Sequence, residues 1–295
     1  MNPSRLPRFF ATLLLAALSF PAAAQPDAEQ PLPEVRTFLE EVRQLLHSDE
    51  FLLDQYTFTE RRIEQRFDAK GRVKKLTREV CEVYPSALPG HAYRKLVERN
   101  GRTLSAEELA EQDREHEKKL AKRLKGGEAA EAKRRKRQAE RRRREEEIIG
   151  ELFRIYDIAI AGRETIEGRS TILVTFQPRP GVKPTNRTGK VLQKFAGRAW
   201  IDEEDRQVVR AEAELLDTFS YGLGVLARLY KGATASFLRR KVNGEVWLPA
   251  EARFTGRGRL LLVKGLRIDS LSEYSEYKKF DVATHTEIEP EKTPH

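Results

Sequence analysis

The sequence predicts a mainly β fold with helices, of the α+β class, and three observations point to it. Short segments that alternate apolar and polar residues recur over most of the chain between turn residues, the pattern of half-buried antiparallel strands. A single helix-period segment precedes them. One long, very polar, helix-forming segment interrupts them.

The chain opens MNPSRLPRFFATLLLAALSFPAAAQ. Arg5 and Arg8 form a basic start, Phe9 to Phe20 a short apolar core, and Ala22-Ala23-Ala24 a small-residue cleavage site. Residues 1–24 therefore read as a secretory signal peptide cleaved after Ala24, since the apolar run is too short to span a bilayer. No cysteine follows that site to carry a lipid anchor, and the expected localisation is periplasmic. Residues 25–33 read as a linker. Residues 34–104 should hold an N-terminal helix and the first strands. Val35, Phe38, Leu39, Val42, Leu45 and Leu46 form one apolar stripe, with Glu34 suited to the first turn. YTFTERRIEQRF then meets RVKKLTREVCEVYP across Asp68-Ala69-Lys70-Gly71, and Asn100-Gly101 marks a second hairpin.

Residues 105–150 are expected to be a charged helical insertion. Ser105 and Glu108 have capping-box spacing, and Leu109, His116, Leu120 and Leu124 give a weak apolar face on which His116 reads as surface packing. Gly126-Gly127 interrupts the segment, so one rod and a hairpin both fit. From Glu128 to Glu147 the residues are polar on all sides but strong helix formers. Pairs such as Arg143 with Glu147 add about 0.2–0.5 kcal/mol each. Residues 151–282 should supply the remaining strands from Phe153 onward. Turns are expected at Ala161-Gly162 and Glu167-Gly168, a polar loop at GVKPTNRTGK, a solvated acidic turn at Asp202-Glu203-Glu204-Asp205, and a hairpin at Asn243-Gly244. The total is about nine to eleven strands, at the spacing of a barrel or sandwich. Residues 283–295 read as a disordered tail.

The charge is concentrated. The 295-residue chain has formal net charge +9. Lys133 to Arg144 holds nine bases against Glu140, so outside that stripe and the signal peptide the charge is close to balance. Such a stripe in a cytosolic chain would suggest nucleic acid; in an exported one that partner is not expected. The one cysteine, Cys81, excludes an intramolecular disulfide and thiolate zinc sites. The five histidines show no metal spacing. HExxH, a phosphate loop and a G-x-S-x-G elbow are all missing from the sequence. Neither enzyme activity, metal nor cofactor is expected.

Several strands expose one face directly. Val209, Ala211, Ala213 and Leu215 alternate with charged residues, and Val246, Leu248, Ala250, Ala252 and Phe254 share a face opposite Trp247, Glu251 and Arg253. Ala233, Ala235 and Phe237, and Ile172, Val174 and Phe176, continue the theme. The apolar face is thus rich in alanine. Small residues there either let the N-terminal helix lie close or leave a hollow for an apolar ligand, and both hold if the helix is a lid.

The amphipathic helix, the YTFTERRIEQRFDAKGRVKKLTREVCEVYP hairpin, the GRAWIDEEDRQVVRAE hairpin and the closing WLP…RLLLVKGLRIDSLSEYSEYKKF together resemble the LolA/LolB-like periplasmic lipoprotein-carrier superfamily, above all its outer-membrane lipoprotein-sorting-like members. The resemblance covers most of Glu34 to Phe280. It implies an incomplete antiparallel β-barrel covered by helices, with acyl chains held inside. The charged insertion has no counterpart in the carriers, and their lid-gating arginine has no single match among Arg61, Arg62 and Arg66. The expected function is a monomeric carrier or binding protein for lipid or lipoprotein acyl chains. Phe176, Ala211, Ala213, Ala233, Ala235, Phe237, Leu248, Ala250, Ala252 and Phe254 are its candidate ligand-binding face. Lys133, Arg134, Arg135, Lys136, Arg137, Arg141 and Arg142 are candidate contacts to an anionic membrane surface or to envelope proteins. The alternative is a ligand-free envelope scaffold that uses the charged helix as a docking arm.

Overall fold

The computed structural model describes residues 30–45, 53, 55–68, 70–86, 92–125, 127–221, 227–260 and 264–280. The expected signal peptide, Leu46, Gly126 and the tail from residue 283 lie outside them. Helix α1 (Val35–Leu45) begins where its cap predicts. The Glu34 carboxylate accepts the backbone N–H groups of Arg36 at 2.9 Å and Thr37 at 2.6 Å, satisfying two orphan donors of the first turn. Its buried face is narrower than the apolar stripe: Phe38 and Val42 are 2% exposed, but Val35 and Leu45 remain 37% and 45% exposed.

Thirteen strands are formed among the described residues: β1 (Tyr56–Phe67), β2 (Val73–Tyr84), β3 (Tyr93–Arg99), β4 (Arg102–Thr103), β5 (Tyr156–Ile166), β6 (Arg169–Pro178), β7 (Phe195–Asp202), β8 (Val208–Leu215), β9 (Phe219–Tyr221), β10 (Ala227–Leu229), β11 (Thr234–Val242), β12 (Val246–Leu260) and β13 (Lys264–Lys279). They build one open antiparallel sheet in the order β4-β3-β2-β1-β13-β12-β11-β8-β7-β6-β5, with β10 on β12 and β9 on β10. This is an incomplete barrel with helices. The strands beyond the expected count are short ones, β4 of two residues and β9 and β10 of three, which leave no alternation to read. β1 and β13, the first and last strands, pair from Tyr56 opposite Lys279 to Phe67 opposite Arg267.

Local turn chemistry behaves as read at Asn100-Gly101, Glu167-Gly168 and Asn243-Gly244, where both central residues have positive φ. Ala161-Gly162 is not a turn. The register shifts between Ile160 and Gly162 inside a continuous β5, as happens when a strand glycine marks a bulge.

The charged insertion forms α2 (Ala106–Leu124) and α3 (Gly127–Ile155). Ser105 and Glu108 make the reciprocal capping box. α3 continues beyond residue 150, and β5 follows at Tyr156, so the strands start later than Phe153. Tertiary bonds hold those last turns. Glu151, 4% exposed, accepts the Thr185 N–H and hydroxyl at 2.7 Å each and Arg154 at 2.9 Å. The expected polar loop contains α4 (Arg187–Leu192), capped by Asn186. Gly189 lies so close to Glu151 that an added Cβ would stand 2.2 Å from Oε1.

α2 closes the β3 edge where β4 stops. The Gln112 amide donates to the Leu96 carbonyl at 2.9 Å and accepts the Leu96 N–H at 3.0 Å, so a side chain replaces a neighbouring strand. Asp113 accepts Tyr93 and Lys95 at 2.8 Å each, and His116 stacks on Tyr93 with ring centroids 4.0 Å apart. Gln112→Ala should cost about 1–3 kcal/mol in urea unfolding, because it strands both polar groups of Leu96, and should speed hydrogen exchange at the Leu96 amide. Unchanged exchange there would contradict the role.

Candidate functional site

One row of small and apolar residues crosses four strands. Val174 and Phe176 on β6 stand opposite Ala199 and Gly197 on β7; these face Ala211 and Ala213 on β8, which face Phe237 and Ala235 on β11. α1 seats Phe38 and Val42 against Ile172, Val174 and Ile201, with Leu39, Ile158, Ile160, Ala199 and Val208 around them. Beside the helix a cavity of about 690 Å³ remains open. Leu39 and Val42 of α1, Leu152 and Phe153 of α3, Ala211, Ala213, Phe237, Trp247 and Pro249 wall it.

Arg239 is the one charged residue in that wall among the described residues. Its guanidinium donates to the carbonyls of Val208 at 3.2 Å and Trp247 at 2.9 Å. Burial pushes its pKa down to about 10, which still leaves it charged at neutral pH. Tyr156, also in the wall, donates its hydroxyl to the Leu192 carbonyl, and burial pushes its pKa up to about 12. Among the described residues no group of three His, Cys, Asp or Glu side chains gathers to hold a metal. The arrangement offers apolar contact and one fixed positive charge.

Of the candidate face, Phe176, Ala211, Ala213 and Phe237 come together around this cavity. Ala235 joins Ala213 and Phe176 at a neighbouring depression of about 570 Å³, made polar by Arg198, Glu212 and Arg253. Ala252 stands opposite Phe237 in register, and Phe254 lines a separate pocket of about 310 Å³. Ala233 is buried just before β11, where its carbonyl accepts the Leu215 N–H at 2.8 Å. The single face read from Val246 to Phe254 does not exist as such. A register shift between Leu238 and Arg239 turns Trp247 and Pro249 into the cavity. Leu248 is instead fully buried with Tyr56 and Val246 in a second cluster, and buried Ala250 lies at the shift. A similar shift sets Val208 rather than Val209 opposite Ile201. Arg239 shares the parity of Phe237 along β11, a signal available from the sequence; Leu152 and Phe153 gave none, because their segment reads as strand.

The acidic turn is not a solvated one. Asp202, 1% exposed, accepts Arg169 at 2.5 and 2.8 Å and the N–H groups of Glu204 and Asp205. Burial works to raise its pKa, but Arg169 and those N–H groups outweigh it and hold the carboxyl below the usual range. Glu203 pairs with Arg163, and Asp205 with Lys241 and the Trp247 indole. Glu204 is exposed but pairs with Arg169 at 2.9 Å. From this turn Arg206 reaches Glu41 at 2.7 Å and Gln207 reaches the Leu45 carbonyl at 2.6 Å, clamping α1. Lys133, Arg134, Arg135, Lys136, Arg137, Arg141 and Arg142 all lie on α3. Arg135 and Lys136 are exposed, and the other five side chains lie outside the described residues.

Because the folded pKa of Asp202 lies below its unfolded value of about 3.9, its contribution is full above that pH and is lost as pH falls through the folded value. Asp202→Asn should lose about 1–3 kcal/mol at pH 7, since it weakens the buried bonds to Arg169 while Glu204 and Asp205 still partner that guanidinium. Thermal unfolding from pH 7 down to about 2 should fall steeply below about pH 4 in the native protein and less steeply in the variant. Parallel curves would show that the pair is not responsible.

No protein-family model matches the sequence, and no curated protein matches it. Among solved structures the chain is similar to an outer membrane lipoprotein-sorting protein domain from Vibrio parahaemolyticus, with 10% identity over 86% of this chain and 93% of that one and a TM-score of 0.29. It is similar to a DUF1329 family protein from Desulfovibrio piger, with 12% identity over 84% and 94% and a TM-score of 0.28. A LolA superfamily protein from Nitrosomonas europaea matches with 11% identity over 85% and 96% and a TM-score of 0.25.

Proposed function

We propose that this protein is a periplasmic, non-enzymatic carrier or binding protein for an amphipathic ligand, a lipid or a lipoprotein acyl chain, held in the cavity beside α1. The observation that supports it is the cavity itself, about 690 Å³ with apolar walls and Arg239 as its charge. That volume falls within the range of about 300–1,000 Å³ that small-molecule pockets occupy. Each buried methylene contributes about 0.8 kcal/mol, so a chain of ten gains about 8 kcal/mol before ordering costs. Arg239 suits an anionic end of the ligand. The basic stretch of α3 then serves as contact to an anionic membrane surface, at about 1 kcal/mol per charge near it.

Native mass spectrometry of protein purified without detergent should show a co-purifying mass, released on denaturation and identified as lipid. Ala211→Phe, which places a ring in the cavity, should abolish that mass while the protein stays folded. Changing the seven basic residues between Lys133 and Arg142 to Gln should leave uptake of a fluorescent fatty acid intact. A bare protein that also takes up no fatty acid would overturn the carrier and favour the scaffold with a docking arm.

A further inference from the structure

The cavity beside α1 is not the end of the apolar face. Beyond Pro249 the inward positions of β12 are Ala252, Phe254, Gly256 and Gly258, none of them charged. Arg253, Arg257 and Arg259 take the alternate positions and face the other side of the sheet. Strand pairing carries the same face sideways. Ala213 of the cavity wall stands opposite Ala235, which stands opposite Phe254. Gly256 and Gly258 stand opposite Ile268 and Leu266 on β13, and Leu229 on β10 stands opposite both Gly258 and Phe219. These residues wall the pocket of about 310 Å³.

Three observations join pocket and cavity into one path. Phe237 walls the cavity on this side yet is 41% exposed, and Ala235 next to it on that face is exposed as well. The floor between the two hollows is therefore apolar and uncovered. Toward β13 the face turns polar. Ser272 stands opposite Ala252 and Ser270 opposite Phe254, and Arg62 donates to the Ser272 hydroxyl at 3.4 Å. That margin confines an apolar chain to β11 and β12. Gly256 sets the depth of the path: a Cβ there would stand 2.8 Å from Phe254 Cζ and 3.1 Å from Leu229 Cδ1.

The length of the path follows from the strand. Pro249 stands opposite Arg239, and from there to Gly258 β12 runs about 25–30 Å at about 3.3 Å per residue. A hydrocarbon chain advances about 1.25 Å per carbon, given bonds of about 1.5 Å at near-tetrahedral angles, so about 20 carbons cover that distance.

We propose that the carried molecule is a single-chain amphiphile of about 18–22 carbons, its anionic end at Arg239 and its chain end in the pocket beside Phe254. This rests on the carrier reading and adds the length of the ligand to it. Each methylene laid along β12 gains burial until the pocket is full, so the pocket acts as the stop of a ruler.

The test is displacement of a fluorescent fatty acid from delipidated protein by straight-chain fatty acids of about 10 to about 22 carbons. Affinity should rise roughly twofold to fourfold per methylene through about 20 carbons. Gly256→Val, which drives the Phe254 ring into the pocket, should bind the ten-carbon acid as the native protein does. It should lose at least about tenfold for the twenty-carbon acid. Leu266→Trp fills the pocket from β13 and should behave alike, replacing Gly256→Val if that variant does not fold. Native affinity that stops rising at about 12 carbons, or variants that hold the long acids undiminished, would overturn the ruler while the carrier reading stands. Binding of no acid at all would sink both. Native mass spectrometry should find one twenty-carbon acid per protein; two would make the pocket a separate site and overturn the single chain.

Discussion

The seat of α1 on the β6–β7 face is the contact on which the enclosed part of the molecule depends. A single eleven-residue amphipathic helix is marginal in water, and burying Phe38 and Val42 contributes about 1.5–3 kcal/mol each. That is not enough to fix its position, so both ends are tied. Glu34 caps the first turn, and the β7–β8 turn holds the last ones through Arg206 and Gln207. The turn is itself rigid because Asp202 is buried against Arg169. A helix of this length covers the β6–β7 end of the alanine row and leaves the β8–β11 end open. The hollow is the part of an apolar face that its helix does not reach.

What was legible in the sequence was local. Asn-Gly turns, the Ser105–Glu108 box and the Glu34 cap are decided within four residues, and each forms as its chemistry requires. The faces of the strands were legible only between bulges. Three register shifts, at Ile160/Gly162, Trp200/Ile201 and Leu238/Arg239, move side chains from one face to the other. A shift of one residue is decided by packing across strands, which a single strand's alternation does not record. Hence Trp247 and Pro249 join the cavity and Leu248 leaves it. The end of α3 shows the same limit. Leu152 and Phe153 sit in an apolar run that suits a strand, and they stay helical because Glu151 finds Thr185 and Gly189 far along the chain.

Charge in this fold falls into three kinds. Many exposed pairs, such as Lys119 with Glu115, add little. Buried carboxylates are different: Glu60 receives Arg62 and Arg94 together, and Glu151 and Asp202 each collect several donors. Composition counts these residues but does not say which of them are inside. The third kind is like charges set opposite one another in the sheet, Arg228 with Arg259, Arg257 with Arg267, Glu251 with Glu273 and Arg66 with Lys75, each pair a small cost to the strands that carry it.

The pairing of β1 with β13 has a consequence for biosynthesis. The partners lie about 200 residues apart. At about 5–20 residues per second, β1 leaves the ribosome about 10–40 s before its partner exists. During that interval β2 can zip onto one side of β1, while the other side offers a row of unpaired peptide groups to any strand nearby. Glu60, Arg61, Arg62 and Glu64 put alternating charge along that waiting edge, which discourages a foreign strand from joining it. The long separation thus makes β1 a strand that must stay soluble before it can be structural.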